Sequence, residues 1–284
     1  MRRLKSYASV ILLFISLNSY SHQPVMDIAP RWEDGYGIQL RHENFGSDEL
    51  IDGGKKAPNL NNAKVLTNLT WLEGVYSFKR SLRATFKLPT VNKSYRSDIE
   101  KTDISALGDL ILGMPYKRYS NKNALTYNWS VTPSIRVPTS SKGSMAINDG
   151  STDLGLSFSF QIENPKIYFM ADFWGWKNNT GRNSIKAGDQ LGLDLNLGYN
   201  FLHENVDNKG LFFIWDASFR KQNQGVGLGN SITGGDRIHT GPVLVFFKNN
   251  AIFRAEYKLP VEESFHSSGL SRGAELNIGI GFTF

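Results

Sequence analysis

The chain has 284 residues, with 32 Lys and Arg against 26 Asp and Glu and no cysteine. Three of the basic residues behind the formal charge of +6 are Arg2, Arg3 and Lys5, so the rest is only mildly basic and a nucleic-acid partner is not implied. A disulfide framework is excluded, and no break in composition divides the chain into two domains.

Residues 1–21 read as an export signal. Arg2, Arg3 and Lys5 form a basic start, Ala8 to Leu17 an apolar core, and Ser19-Tyr20-Ser21 offers small residues for cleavage. The apolar run is too short for a spanning helix, which needs about 20 residues. The mature chain is expected to begin near His22, with residues 22–34 as a periplasmic segment and 35–284 as the folded domain. His22 and Met26 are donor types for copper or zinc. With five His and no Cys in the chain, a plain tail is the simpler reading, and neither metal nor cofactor is expected.

From residue 35 onward, apolar and polar residues alternate. Leu125, Tyr127, Trp129, Val131, Pro133 and Ile135 alternate with Thr126, Asn128, Ser130, Thr132, Ser134 and Arg136. The same pattern runs through Asp153–Ile162, Leu191–Tyr199 and Phe253–Val261. A period of two marks a strand with one apolar face and one polar face. Twelve strands are predicted, at about 35–45, 66–78, 82–90, 108–119, 125–137, 152–162, 167–177, 190–202, 211–222, 237–247, 251–262 and 274–284. Most reach the ~9–11 residues that a tilted strand needs to cross a membrane.

The connections alternate too. Five are short: Lys79–Ser81, Ser120–Ala124, Glu163–Lys166, Val206-Asp207-Asn208 and Lys248-Asn249-Asn250. They carry the Asn and Lys of polar tight turns. The other six are longer, at 46–65, 91–107, 138–151, 178–189, 223–236 and 263–273. Long external loops and short periplasmic turns are the habit of outer-membrane barrels, and a soluble sandwich has no reason to alternate them. The reading is therefore all-β: a single antiparallel transmembrane β-barrel of about 12 strands, in the bacterial outer membrane, with both termini periplasmic. Residues 274–284 end the chain on Phe284. This resembles the closing strand of outer-membrane barrels, in which a terminal Phe is an assembly signal. The resemblance implies the outer-membrane assembly machinery as a partner, with outer-membrane lipids and lipopolysaccharide around the barrel.

If the apolar face meets lipid, parity sends Arg41, Glu43, Glu73, Arg83, Lys87, Arg136, Asp172, Asp194, Asp216, Arg220, Arg254, Glu256 and Lys258 inward. Tyr168, Met170, Trp174 and Trp176 share the parity of Asp172. These side chains either pair across a narrow lumen and fill it or line a path for a solute. An inward face holding both charge signs is not expected to favour one ion strongly.

Gly108-Asp109-Leu110-Ile111-Leu112-Gly113 followed by Tyr116 resembles the G-D-x-x-L-G-x-x-Y stretch of the outer-membrane family named for the meta pathway of phenol degradation. Pro138-Thr139 sits where that family has a strand-ending P-T-G, although Ser140-Ser141 depart from it. Gly150–Leu156 and Leu197-Gly198-Tyr199 are similar to its later strands. The resemblance implies uptake or sensing of small, often aromatic or apolar molecules across the outer membrane, and the expected function is a passive channel for them. Two alternatives stand beside it. One is a structural barrel without a pore. The other is a lipid hydrolase: His266-Ser267-Ser268-Gly269 resembles the H-x-S-N-A-G of a lipid A deacylase, with Gly269 in place of the Asn. In that case His266 would activate Ser268, with Glu262 or Glu263 near. Gly225, Gly227, Gly229, Gly234 and Gly235 lack the phosphate-cradling spacing and read as a flexible external loop.

Overall fold

Alternating side chains and polar two-residue turns give hairpins, and eleven hairpin steps bring the last strand back to the first. The structure, a computed structural model, describes residues 33–122, 125–139, 149–204, 209–227, 231–232 and 234–284. The strands are β1 (Tyr36–Ser47), β2 (Lys64–Lys79) and β3 (Leu82–Arg96), then β4 in three pieces, Lys101–Leu107, Leu110–Gly113 and Tyr116–Lys122. They continue as β5 (Leu125–Val137), β6 (Asp153–Glu163), β7 (Ile167–Lys177), β8 (Gln190–Glu204), β9 (Lys209–Gln222), β10 (Gly235–Lys248), β11 (Ala251–Phe265) and β12 (Glu275–Thr283). Each pairs antiparallel with its neighbours in sequence.

β12 closes the sheet on β1, from Gly37 opposite Thr283 to Phe45 opposite Glu275. The seam ends in a reciprocal pair: Tyr36 N donates to Phe284 O at 3.0 Å and Phe284 N to Tyr36 O at 2.8 Å. Their rings stack 5.1 Å apart. Closure leaves no open sheet edge, so backbone polar groups are satisfied within the sheet, as a bilayer requires.

One end of the barrel carries the tight turns and Tyr36 and Phe284; the other carries the long connections. At the turn end, Asn249 takes φ 51° in the two-residue hairpin between β10 and β11. Asn tolerates that left-handed conformation better than most residues. Aromatic side chains ring this end. Tyr76 lies edge-on to Phe78, Tyr116 to Trp129, and Tyr199 to Phe201. Above them the outer wall is apolar and exposed, with Leu40, Leu72, Phe158, Phe173, Leu195 and Ile280 among its members. An apolar band with an aromatic girdle is the lipid-facing surface of a transmembrane barrel.

Two expectations need correction. The segment 91–107 is not a loop. β3 runs on to Arg96 and returns at Lys101, with Thr90–Arg96 paired to Lys101–Leu107. The inner face is also not polar throughout. On β2, Leu69 and Trp71 share the inward parity of Glu73 and are buried. The two observations belong together. Toward the loop end, β1 to β4 rise as a wall whose outer face is mostly polar, with Leu66 and Leu107 as exceptions. There the His42 ring lies 3.0 Å from Thr70 Oγ1, Asn44 donates to Asn68 at 2.7 Å, and Ser105 donates to Asn92 at 2.6 Å. Its inner face buries Phe45, Leu69, Trp71 and Val91, with Ile104 and Ala106 against them. Lower on the same strands the sense is reversed, with Leu72 and Phe86 outside and Glu73 and Lys87 inside. A strand exchanges its faces in this way where its outside passes from lipid to water.

The longer connections carry structure of their own. Leu50–Asp52, Lys55–Ala57 and Gly269–Leu270 form a small sheet, and Gly225–Val226 pairs with Ser231–Ile232 in the glycine-rich segment. Residues 1–21, His22 and Met26, the Val206-Asp207-Asn208 turn, and Ser140 to Gly143 lie outside the described residues.

Candidate functional site

The barrel interior holds the buried polar residues. A charge can be buried only with a partner, so the inward parity of these strands requires acids and bases to meet across the staves. Arg41 on β1 donates to Glu43 at 2.5 Å and to Glu73 on β2 at 2.9 Å, and Lys87 on β3 lies 3.8 Å from Glu73. Arg83, farther toward the turn end, is buried and donates to the Tyr119 hydroxyl at 2.9 Å. Arg136 on β5 meets Asp153 on β6 at 2.9 Å and Asn178 beyond β7 at 2.6 Å. Asp172 on β7 accepts from Ser159 on β6 at 2.6 Å. Asp194 on β8 accepts from Trp174 Nε1 at 2.7 Å and from Arg220 on β9 at 2.8 Å. Lys258 on β11 reaches over β10 to Asp216 on β9 at 2.7 Å and to Glu256 at 2.8 Å, and Arg254 donates to Glu256 at 3.0 Å. Residue 241, opposite Asp216, is Gly, and a Cβ there would lie 1.9 Å from Tyr257 O, so the backbones of β10 and β11 approach closely at this point.

Trp174 and Trp176 lie flat against the inner wall. Trp176 covers Gly155 on β6, and Trp174 covers Gly192 on β8. A Cβ at either glycine would meet indole carbons, 2.8 Å away at Gly155 and 2.2 Å at Gly192. Each ring carries a guanidinium, Arg136 at 4.8 Å over Trp176 and Arg220 at 4.7 Å over Trp174. Trp71 has Arg41 at 5.7 Å, and Phe45 has Arg272 at 3.7 Å. Such pairs fasten a cation to an aromatic face and leave both in the lumen wall. Tyr168 and Met170, on the same face of β7 nearer the turn end, contact each other from hydroxyl to sulfur at 3.3 Å.

The interior is unevenly filled. Trp71, Arg83, Lys87, Thr132 and Trp174 are covered almost completely, so the wall from β2 to β7 is closely packed around them. On the wall from β8 to β12, Arg220, Arg254 and Lys258 keep part of their surface open.

Sequence reasoning passed over Phe45, Leu69, Trp71, Val91 and Ile111 as lumen residues. The parity of Leu69 and Trp71 with Glu73 was the available signal. His266 and Ser268 sit in the connection between β11 and β12, with His266 exposed and its backbone N–H donating to Gly234 O at 3.0 Å. The Glu263 carboxylate accepts from Ser271 Oγ and from Arg272 N, so it is not turned to orient His266. Among the described residues, no group of three metal-ligating side chains is found.

Residues 57–256 match the model of the family described as "Putative MetA-pathway of phenol degradation". In architecture the chain is similar to the COG4313 outer membrane channel from Pseudomonas putida F1. That likeness has TM-score 0.68 at 17% identity and covers 93% of this chain and 100% of that one. The beta domain of the Bordetella autotransporter BrkA is a more distant likeness, with TM-score 0.48 at 9% identity over 89% of this chain and 100% of that one. Comparison with curated proteins gives no match.

Proposed function

The chain belongs to the MetA-pathway phenol-degradation family, and from that premise we propose that it is a passive outer-membrane channel for small molecules, aromatic and apolar ones among them. The observation that carries this reading is the inner face from β8 to β12, where Arg220, Arg254 and Lys258 keep part of their surface open. A barrel that served only as a scaffold would need apolar residues against lipid. This one also keeps charged side chains accessible inside it, beside a loop-end cluster of Phe45, Leu69, Trp71 and Val91 that is packed closed. Below them the lumen turns polar and charged, which suits release toward an aqueous side. The likeness to the Pseudomonas channel supports the same direction.

In this reading the loop end faces the outside, and the turn end with both termini faces the periplasm. Lipids and lipopolysaccharide surround the apolar band, and the assembly machinery engages β12 through Phe284. No catalytic step is involved, and His266 and Ser268 are loop residues. The test is reconstitution. Purified protein in liposomes should admit small organic solutes, and replacing Trp174 and Trp176 with Ala should change the flux of aromatic solutes more than that of small ions. Liposomes with wild-type protein that stay as impermeable as empty ones would overturn the channel and favour the structural barrel.

A further inference from the structure

The two members of a lumen ion pair are not equally accessible. Three of the ion pairs on the wall from β8 to β12 share one arrangement. In the first, the Arg220 side chain is 23% exposed and Asp194 0%. In the second, Arg254 is 15% exposed and Glu256 6%. In the third, Lys258 is 11% exposed and Asp216 3%. Each time the cation is the more accessible member of the pair. The pattern has exceptions: Arg272 and Glu275 are equally open, and Glu43 is more open than Arg41. On the packed wall, Arg136 and Asp153 are equally closed.

A permeating ion feels the nearer charge more strongly, since Coulomb energy falls with distance. A path whose open surface shows the cations of its ion pairs therefore attracts anions, although the pairs are formally neutral. The three cations are spaced along the barrel axis. Arg254 and Lys258 are four residues apart on β11, about 13 Å of strand. Arg220 stands nearer the loop end, opposite Arg237 in the β9–β10 ladder. Arg220 also lies over the indole of Trp174, so an aromatic ring and a positive charge meet at one point of the wall.

We propose that the preferred solutes are small organic anions, aromatic carboxylates in particular, guided along β8 to β12 by Arg220, Lys258 and Arg254. This rests on the channel reading above. The experiment is a reversal-potential measurement on the full-length mature protein in planar bilayers. It uses a potassium chloride gradient first, then benzoate against benzylammonium. The expected result is a permeability ratio of roughly three- to tenfold in favour of the anion. That preference should fall toward unity in Arg220→Gln and Arg254→Gln, the two most open sites, each checked for folding by its heat-dependent gel shift. Conductance with equal or greater cation permeability overturns the inference and leaves the channel standing. An anion preference unchanged in both variants overturns the assignment to these residues. No conductance from wild-type protein overturns the channel reading, and the inference falls with it.

Discussion

Glu73→Gln tests the idea that the lumen is held by paired charges. Glu73 lies between Arg41 Nη2 at 2.9 Å and Lys87 Nζ at 3.8 Å, and all three side chains are under 5% exposed. With Glu43, they form a cluster of two cations and two anions. The amide keeps the shape and leaves two cations facing one carboxylate. Removing one partner of a buried pair costs about 3–5 kcal/mol, because the remaining charge stays in a poor solvent. That is a factor of roughly one hundred to a few thousand in the folding equilibrium. Glu49→Gln is the control. Glu49 meets Lys56 at 2.6 Å, but both are solvated, so about 1 kcal/mol at most is expected. Equilibrium unfolding in urea from lipid vesicles, followed by the heat-dependent gel shift, measures both. A Glu73→Gln protein within about 1 kcal/mol of wild type would refute the reasoning.

Two further predictions concern the seam and the loop end. Deleting Phe284 removes two reciprocal backbone bonds and the stack on Tyr36, a loss of about 2–4 kcal/mol from the closing strand pair. Assembly yield in vesicles should drop, and a deletion that refolds as well as wild type would count against closure through this pair. Asp189, between β7 and β8, is raised by burial but lowered more by the Lys177 ammonium and the Asn178 N–H, so its carboxyl sits below the usual range. A depressed carboxylate stabilises above its unfolded value and stops doing so as pH falls through the folded one. Hydrogen-exchange protection at residues 178–189, corrected for the intrinsic rate at each pH, should therefore fall only at acid pH. Asp189→Asn should remove that pH dependence, and an unchanged profile in the variant would assign it elsewhere.

The fold was legible because it obeys a period of two. Leu154 to Ile162, Leu191 to Tyr199 and Ala274 to Phe284 each declare a face, and the turn at Asn249-Asn250 declares its hairpin. The alternation was less informative where the outside of the barrel is not lipid. At Thr90–Arg96 and Lys101–Leu107 the outward residues are Thr90, Asn92, Ser94, Asp103 and Ser105, with Leu107 as the apolar exception at the base. A hairpin there reads as a polar loop. The same cause hid Leu69 and Trp71. An apolar residue was taken to mean lipid, whereas above the bilayer it means the inside. Pairings such as Trp174 with Asp194, or Lys258 with Asp216, depend on register and on reach across neighbouring strands, which no single strand records.

The exchange of faces on β1 to β4 also sets how tall a hydrocarbon layer the barrel can match. On β3 the outward apolar run ends early, from Leu82 to Leu88, with Thr90 next. Six steps of about 3.4 Å at a tilt near 40° span roughly 16 Å along the membrane normal. On β8 the outward apolar residues run from Leu191 to Phe201. Ten such steps span roughly 26 Å. A hydrophobic thickness that differs by about 10 Å around one circumference cannot suit a bilayer of even thickness. Either the barrel leans or the membrane thins beside β2 to β4. Lipid there would be locally compressed, and short-chain lipids would gather on that flank.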